Sequence, residues 1–157
     1  MLCLREGARG TEVLLGRRAR RAGDPWSGHI GLPGGRIDPP DPSPLAAAIR
    51  ETVEEVGFDP TVEGRLLGAL DPLHGRMNSV LVAPFVAEIR TAVEPRVSPE
   101  LASAWWAPFA AMEARDVTVS EVPYPMPALV TVDADGVEAV VWGMTFRVLQ
   151  SAGELAG

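Results

Sequence analysis

The segment "RETVEEVGF", residues 50–58, carries Glu51, Glu54 and Glu55 beside Arg50. On a helix, spacings of three and four bring side chains within about 5–6 Å at Cβ, where like charges cost a few tenths of a kcal/mol. In the second half of a helix the macrodipole disfavours negative charge as well. Such a cluster is either a solvated acidic face, with Arg50 paired to Glu54, or a set of hard oxygen ligands for divalent cations. The preceding loop, "LPGGRID", favours the second reading. Gly34 and Gly35 let backbone approach a ligand closely, just ahead of a helix that bears carboxylates.

Local signals define that helix. Ser43 is a good N-cap, Pro44 suits the first helical position, where no N–H is needed, and Gly57 suits a left-handed C-cap. The spacing predicts a helix over about 44–56. Its apolar face would comprise Leu45, Ala48, Ile49, Thr52, Val53 and Val56, with Glu51, Glu54 and Glu55 along the adjoining edge.

Other elements follow from composition along the chain. "MLCL" and Glu12 to Leu15 read as a hairpin around "REGARGT". "GRRARRAGDPWSGH" reads as a basic, glycine-rich loop. Its arginines Arg17, Arg18, Arg20 and Arg21 are suited either to solvent or to phosphate contact. "RLLGAL" and "SVLVAPFVAEI" are strand-like, "SAWWAPFAAM" reads as a strand leading into a short helix, and "EAVVWGMTFRVLQSA" as a strand or turn that continues into a closing helix. No repeat or linker marks a boundary, so a single domain over 1–157 is expected.

The chain has 157 residues, 46% of them apolar, which suits a packed globule. Its apolar runs are too short to cross a bilayer, and Arg5 and Glu6 interrupt any signal-like core, so a cytoplasmic protein is expected. Cys3 is the one cysteine, and His29 and His74 are the two histidines. With thiolate and imidazole so scarce, a metal would rest on oxygen ligands, which points to magnesium or manganese. The net charge of −7 argues against broad nucleic-acid binding, and an anionic substrate would need cations as intermediaries.

At these residues the chain resembles the Nudix hydrolase family, whose box is written G-x5-E-x7-R-E-U-x-E-E-x-G-U, with U aliphatic. Arg50, Glu51, Val53, Glu54, Glu55 and Gly57 match the second half, with Phe58 in the last apolar place. In the first half, Asp41 stands where the family has Glu, and eight residues instead of seven separate it from Arg50. "LPGGRIDPPDPSPLAAAIRETVEEVGF" is similar to the variant box of coenzyme A pyrophosphatases within that family. "EVLLGRRA" and "VVWGMTFRVL" support the same branch, and His29 stands where that branch favours Gln.

The resemblance implies an α/β/α sandwich with a mixed sheet, the box forming loop–helix–loop over about 35–58. The implied reaction is magnesium- or manganese-dependent hydrolysis of a pyrophosphate in a nucleoside diphosphate derivative. Glu51 and Glu55 would be principal metal ligands by their i+4 geometry, Glu54 a further ligand or water-orienting base, Gly35 a carbonyl ligand, and Arg50 an orienting partner. Arg20, Arg21, His29 and Gly34 are the substrate-binding candidates. Glu100 could reach the metals from a later loop. Trp105 and Trp106 could stack on a base, although strand alternation sends at least one to the core. Trp142 reads as packing, and Tyr124 borders a proline-rich loop. The expected partner is a small nucleotide, with no membrane or nucleic acid and with room for a homodimer. Coenzyme A is the favoured substrate. ADP-ribose, dinucleoside polyphosphates, oxidised nucleoside triphosphates and a non-catalytic nucleotide-binding role are the alternatives.

Overall fold

The computed structural model describes residues 1–75 and 80–156. A hairpin of β1 (Leu2–Gly7) and β2 (Gly10–Arg18) opens the chain, with Leu4 opposite Val13 and Gly10 at a φ of +86° in the turn. The short β3 (Ile30–Gly31) pairs with the far end of β2, and α1 (Pro44–Val56) follows. Next come β4 (Gly64–Ala69), β5 (Leu73–His74), β6 (Leu81–Val82), β7 (Phe85–Ile89) and β8 (Leu101–Pro108), the last continuing into a 3-10 turn, Phe109–Ala111. The chain ends with β9 (Glu113–Val117), β10 (Met126–Val132), β11 (Glu138–Trp142) and α2 (Gly143–Ala156).

The main sheet runs β3-β2-β1-β7-β4, with β8 also on β2. Only the β1–β7 pair in it is parallel, so the sheet is mixed. Val13, Leu14 and Leu15 are all fully buried because β2 is covered on both faces. Alternation sends Val13 and Leu15 into one core, with Leu2, Trp105, Val141, Val148 and Leu149. Leu14 enters the other, with Cys3, Val56, Phe58, Ala87 and Trp106. Helices α1 and α2 thus cover opposite faces, which is the expected α/β/α sandwich. Beyond that plan lies a second, antiparallel sheet, β11-β10-β9. Trp105 and Trp106 are both core residues, one on each face, so neither is free to stack on a base.

Helix α1 has the predicted ends. Ser43 Oγ accepts the Ala46 N–H at 3.1 Å, and Gly57 closes the helix at a φ of +78°. Leu45, Ala48, Ile49, Thr52 and Val56 are buried or packed against the core as expected, but the buried face extends to Ala47 and Glu55 and leaves out Val53. Ala47, Thr52, Glu55 and Val56 are buried, whereas Val53 is 42% exposed. Polar groups can be buried here because they have partners: the Thr52 hydroxyl donates to Ala48 O at 2.7 Å, and Glu55 accepts a backbone N–H from the preceding loop. The strand expected over 79–89 is two strands, split around Pro84, which lacks an N–H for the ladder. Ser79 at its start lies outside the described residues. Among the described residues no helix is long and apolar enough to cross a membrane.

The exposure of Val53 has a measurable consequence. Val53→Gln should leave the thermal midpoint nearly unchanged, whereas Val56→Asp, which buries an unpaired carboxylate, should abolish cooperative melting of soluble protein. Differential scanning fluorimetry of the two variants checks this.

Candidate active site

The three glutamates of α1 sit in graded environments. Glu55 is 5% exposed, and the side chains of Glu51 and Glu54 are 16% and 58% exposed. Arg50 lies across them. Its Nη1 donates to Glu51 Oε1 and to Glu54 Oε2, both at 3.0 Å. On its other side the guanidinium grips Asp41 with two hydrogen bonds, Nε to Oδ1 at 3.1 Å and Nη2 to Oδ2 at 3.0 Å. Nη2 also donates to the carbonyl of Arg36 at 3.1 Å.

This fork explains the departure from the common box. Asp41 is one methylene shorter than Glu, yet from its place in the loop it holds Arg50 in the bidentate geometry that carboxylate and guanidinium share. Arg50 and the Asp38 N–H hold the Asp41 carboxyl below the usual carboxylate range. Asp41, first and foremost, raises the Arg50 pKa further above its ordinary value, and Glu51 adds to this.

The glycine loop meets the helix at two points. Gly34 N–H donates to Glu55 Oε2 at 3.0 Å. A Cβ on Gly35 would overlap the Glu51 carboxylate, so only glycine allows the backbone this close. Burial pushes the Glu55 pKa upward, the Gly34 hydrogen bond opposes the rise, and the charges of Glu51 and Glu100 add to it while Arg18 counters.

Opposite the helix, residues 96–100 are tied to its C-terminal end. Arg96 N–H donates to Val56 O and Ser98 N–H to Glu55 O, both at 2.9 Å. That tie sets Glu100 across from the helix glutamates. The resulting cleft encloses about 210 Å³ between Arg21, Glu51, Glu54, Glu55, Ser98, Pro99 and Glu100. Whole-ligand pockets usually measure about 300–1,000 Å³, so this cleft has room for a charged group and ions, with the rest of a ligand outside it.

The donor set fits a hard divalent cation. The side chains that could ligate are four carboxylates and the Ser98 hydroxyl, all oxygen donors, one carboxylate is buried, and Gly35 is packed directly against Glu51. Among the described residues no three carboxylate, imidazole or thiolate groups already converge as a ready cage. The glutamates are spread along the wall of the cleft, two held by Arg50 and one by Gly34. Cys3 offers no alternative chemistry, because burial raises its thiol pKa to about 12.

The basic segment divides between two faces. It had been read as loop from Gly16, but β2 continues to Arg18, so Arg17 and Arg18 point to opposite sides of the sheet. Arg17 pairs with Asp133 at 2.9 Å on the α2 side. Arg21 lines the glutamate cleft, and Arg20 is exposed and does not. His29 is also outside that cleft. It lines a separate recess with Arg17, Glu121 and Trp142, its Nε2 2.9 Å from Glu121 Oε1 and its ring 5.3 Å from that of Trp142. Tyr124 is exposed and lines neither.

Comparison with known proteins adds the following. The NUDIX domain model matches residues 1–126. An uncharacterized protein of Schizosaccharomyces pombe is 37% identical over 110 residues, 62% of this chain and 32% of that protein. The Mus musculus protein named mitochondrial coenzyme A diphosphatase NUDT8 is 35% identical over 88 residues, 56% of this chain and 40% of that one. The matched stretch therefore spans well under half the length of these curated relatives. Among solved structures, the NUDIX domain of Shewanella oneidensis NrtR, complexed with ADP ribose, has a TM-score of 0.61 at 17% identity, covering 99% of this chain and 84% of that one. A C. elegans Ap4A hydrolase binary complex has a TM-score of 0.58 at 22% identity, covering 68% and 75%. At those identities the likeness is one of fold.

The surroundings of Glu55 give a prediction for the protein in chelator. Its raised pKa means the folded state binds the proton more tightly than the unfolded chain, so the ionised carboxylate destabilises the fold at neutral pH. Glu55→Gln keeps an acceptor for the Gly34 N–H and removes the charge. Its thermal midpoint should exceed the wild type's by a few degrees at neutral pH. The difference should narrow as the pH falls toward the ordinary carboxylate value, where both side chains are neutral. Melting curves across that range check the sign.

Proposed function

The chain belongs to the NUDIX family, and on that premise we propose that it hydrolyses the pyrophosphate linkage of a nucleoside diphosphate derivative, with coenzyme A or its thioesters as the substrate. The observation that carries this reading is the cleft itself. Glu51, Glu54, Glu55 and Glu100 line one small space together with Arg21, and the most buried carboxylate has a single backbone N–H against it. Such a wall is costly without cations and suited to a diphosphate that brings them.

In this mechanism Glu51 and Glu55 would hold the divalent cation, with the Gly35 carbonyl as a further candidate ligand. Magnesium or manganese there would supply charge neutralisation of the diphosphate and acidification of the attacking water. Glu54, the most exposed of the three, is a further ligand or accepts the water's proton. Arg50 keeps Glu51 and Glu54 aligned, and Asp41 keeps Arg50 in place. Arg21 meets an anionic oxygen at the rim, and the rest of the substrate extends beyond the cleft. Residues 1–157 act as one domain around the box at 35–58.

The choice of substrate rests on the variant loop with Asp41, the "WGMTFRVL" segment and the 35% identity to a protein named as a coenzyme A diphosphatase. A cytoplasmic location belongs to the same reading.

Three outcomes are expected. Turnover should vanish in chelator and return with magnesium or manganese, and Glu51→Gln should lower kcat by orders of magnitude while the protein stays folded. Full turnover in chelator would exclude the mechanism. In a panel of nucleotides, coenzyme A should give 3′,5′-ADP and 4′-phosphopantetheine with the highest kcat/KM. A tenfold advantage for ADP-ribose or a nucleoside triphosphate would retain the chemistry and replace the substrate.

A further inference from the structure

Residues 19–29, which join β2 to β3, close on themselves around Asp24. Its N–H donates to Arg21 O, its carbonyl accepts the Ser27 N–H, both at 3.2 Å, and its Oδ1 accepts the Trp26 N–H at 3.0 Å. The Ser27 hydroxyl accepts from Arg21 N and donates to Arg21 O, each at 3.0 Å. Gly23, at a φ of +81°, makes the tight turn that allows this.

The folded loop turns the Asp24 carboxylate toward Arg18, at the end of β2. Arg18 Nη2 lies 3.3 Å from Oδ2, longer than the roughly 2.7–2.9 Å of a strong charge-assisted bond. Arg18 Nε is closed from solvent and has no hydrogen-bond partner among the described residues. The Trp26 N–H, then Arg18 and Arg21, hold the Asp24 carboxyl below the usual range. Both guanidiniums also serve the glutamate cleft: Arg21 lines it and donates to Pro99 O at 3.2 Å, and the Arg18 charge is felt at Glu55. Arg21, lining the acidic cleft, thus has in its own loop a carboxylate that holds Arg18, and Arg18 is left under-satisfied.

A phosphate monoester carries a charge of about −1.5 to −2 and three acceptor oxygens, against one charge and two oxygens for a carboxylate. It is the better partner for a pair of guanidiniums. We propose that Arg18 and Arg21 form an anion subsite beside the glutamate cleft, and that Asp24 is its internal occupant, displaced when a phosphate-bearing ligand enters. The inference rests on reading the cleft as a diphosphate site. It adds which cations receive a peripheral phosphate and which group competes for them. Ligands without a second anionic group meet the competition of Asp24 and gain little from the arginines, so the loop acts as a specificity filter.

The test is calorimetric titration of the full chain with inorganic pyrophosphate, in chelator and without divalent cations. Asp24→Asn keeps the acceptor for the Trp26 N–H and removes only the charge. It should tighten the Kd at least threefold, Arg18→Gln should weaken it at least threefold, and combining them should abolish the gain. Arg9→Gln, on the exposed hairpin turn, controls for net charge and should leave the Kd unchanged. Unchanged or weaker binding by a well-folded Asp24→Asn overturns the proposal, as does the absence of measurable binding in every variant. If Asp24→Asn melts early, Arg18→Gln decides alone, and an unchanged Kd overturns the proposal. No turnover is involved, so a chain that binds pyrophosphate in this pattern but cleaves no nucleotide would refute the hydrolase reading and leave the subsite standing.

Discussion

One guanidinium joins the acidic loop to the acidic helix. Arg50 holds Asp41 on one side and Glu51 and Glu54 on the other, and it reaches the Arg36 carbonyl as well. Without it, a loop rich in Asp, Pro and Gly would lie against a helix of like charge, with no backbone ladder between them. Lysine would not serve, because a single ammonium cannot present a planar fork to one carboxylate while bonding two others. The fork fixes the loop, and the fixed loop delivers the Gly34 N–H to Glu55 and the Gly35 backbone to Glu51.

The sheet does the coarser positioning. β2 is buried on both faces, so its end carries alternation into the basic segment and sends Arg17 and Arg18 to opposite sides. Arg17 is then engaged with Asp133, near the second sheet. Arg18, on the α1 side, is near Glu55. The segment that ends at Glu100 is pinned to the carbonyls of Glu55 and Val56, which lack intrahelical partners at the end of α1. Residues that are useful to one cleft therefore come from a strand end, a loop, a helix and a second loop.

Local features were legible in the sequence and tertiary ones were less so. Ser43, Pro44 and Gly57 mark the ends of α1 because capping is decided within a few residues. Most of the helix face is legible as well, with Leu45, Ala48, Ile49, Thr52 and Val56 packed as periodicity expects, but periodicity also counts Val53 as inward and Glu55 as outward, and the structure reverses both. A backbone N–H contributed by Gly34, distant in sequence, made Glu55 buriable. The bidentate grip of Asp41 on Arg50 depends on the path of the loop, which residue counting does not give. β9 and β10 escaped notice because "EARDV" is mostly charged and exposed, and β10 begins beside prolines in "VPYPMP". Arg20, a substrate-binding candidate from the basic loop, and His29, one from the place where the coenzyme A branch favours Gln, lie outside the glutamate cleft, which only the folded path of residues 19–29 decides.

The proposed chemistry requires that the glutamates of α1 be cation ligands and not merely a solvated face. Titration of the protein with manganese, followed by electron paramagnetic resonance of the free ion, tests this without any substrate. The wild type should show saturable binding that is lost in Glu51→Gln and in Glu55→Gln while both variants remain folded. Equal manganese binding by all three proteins would contradict it.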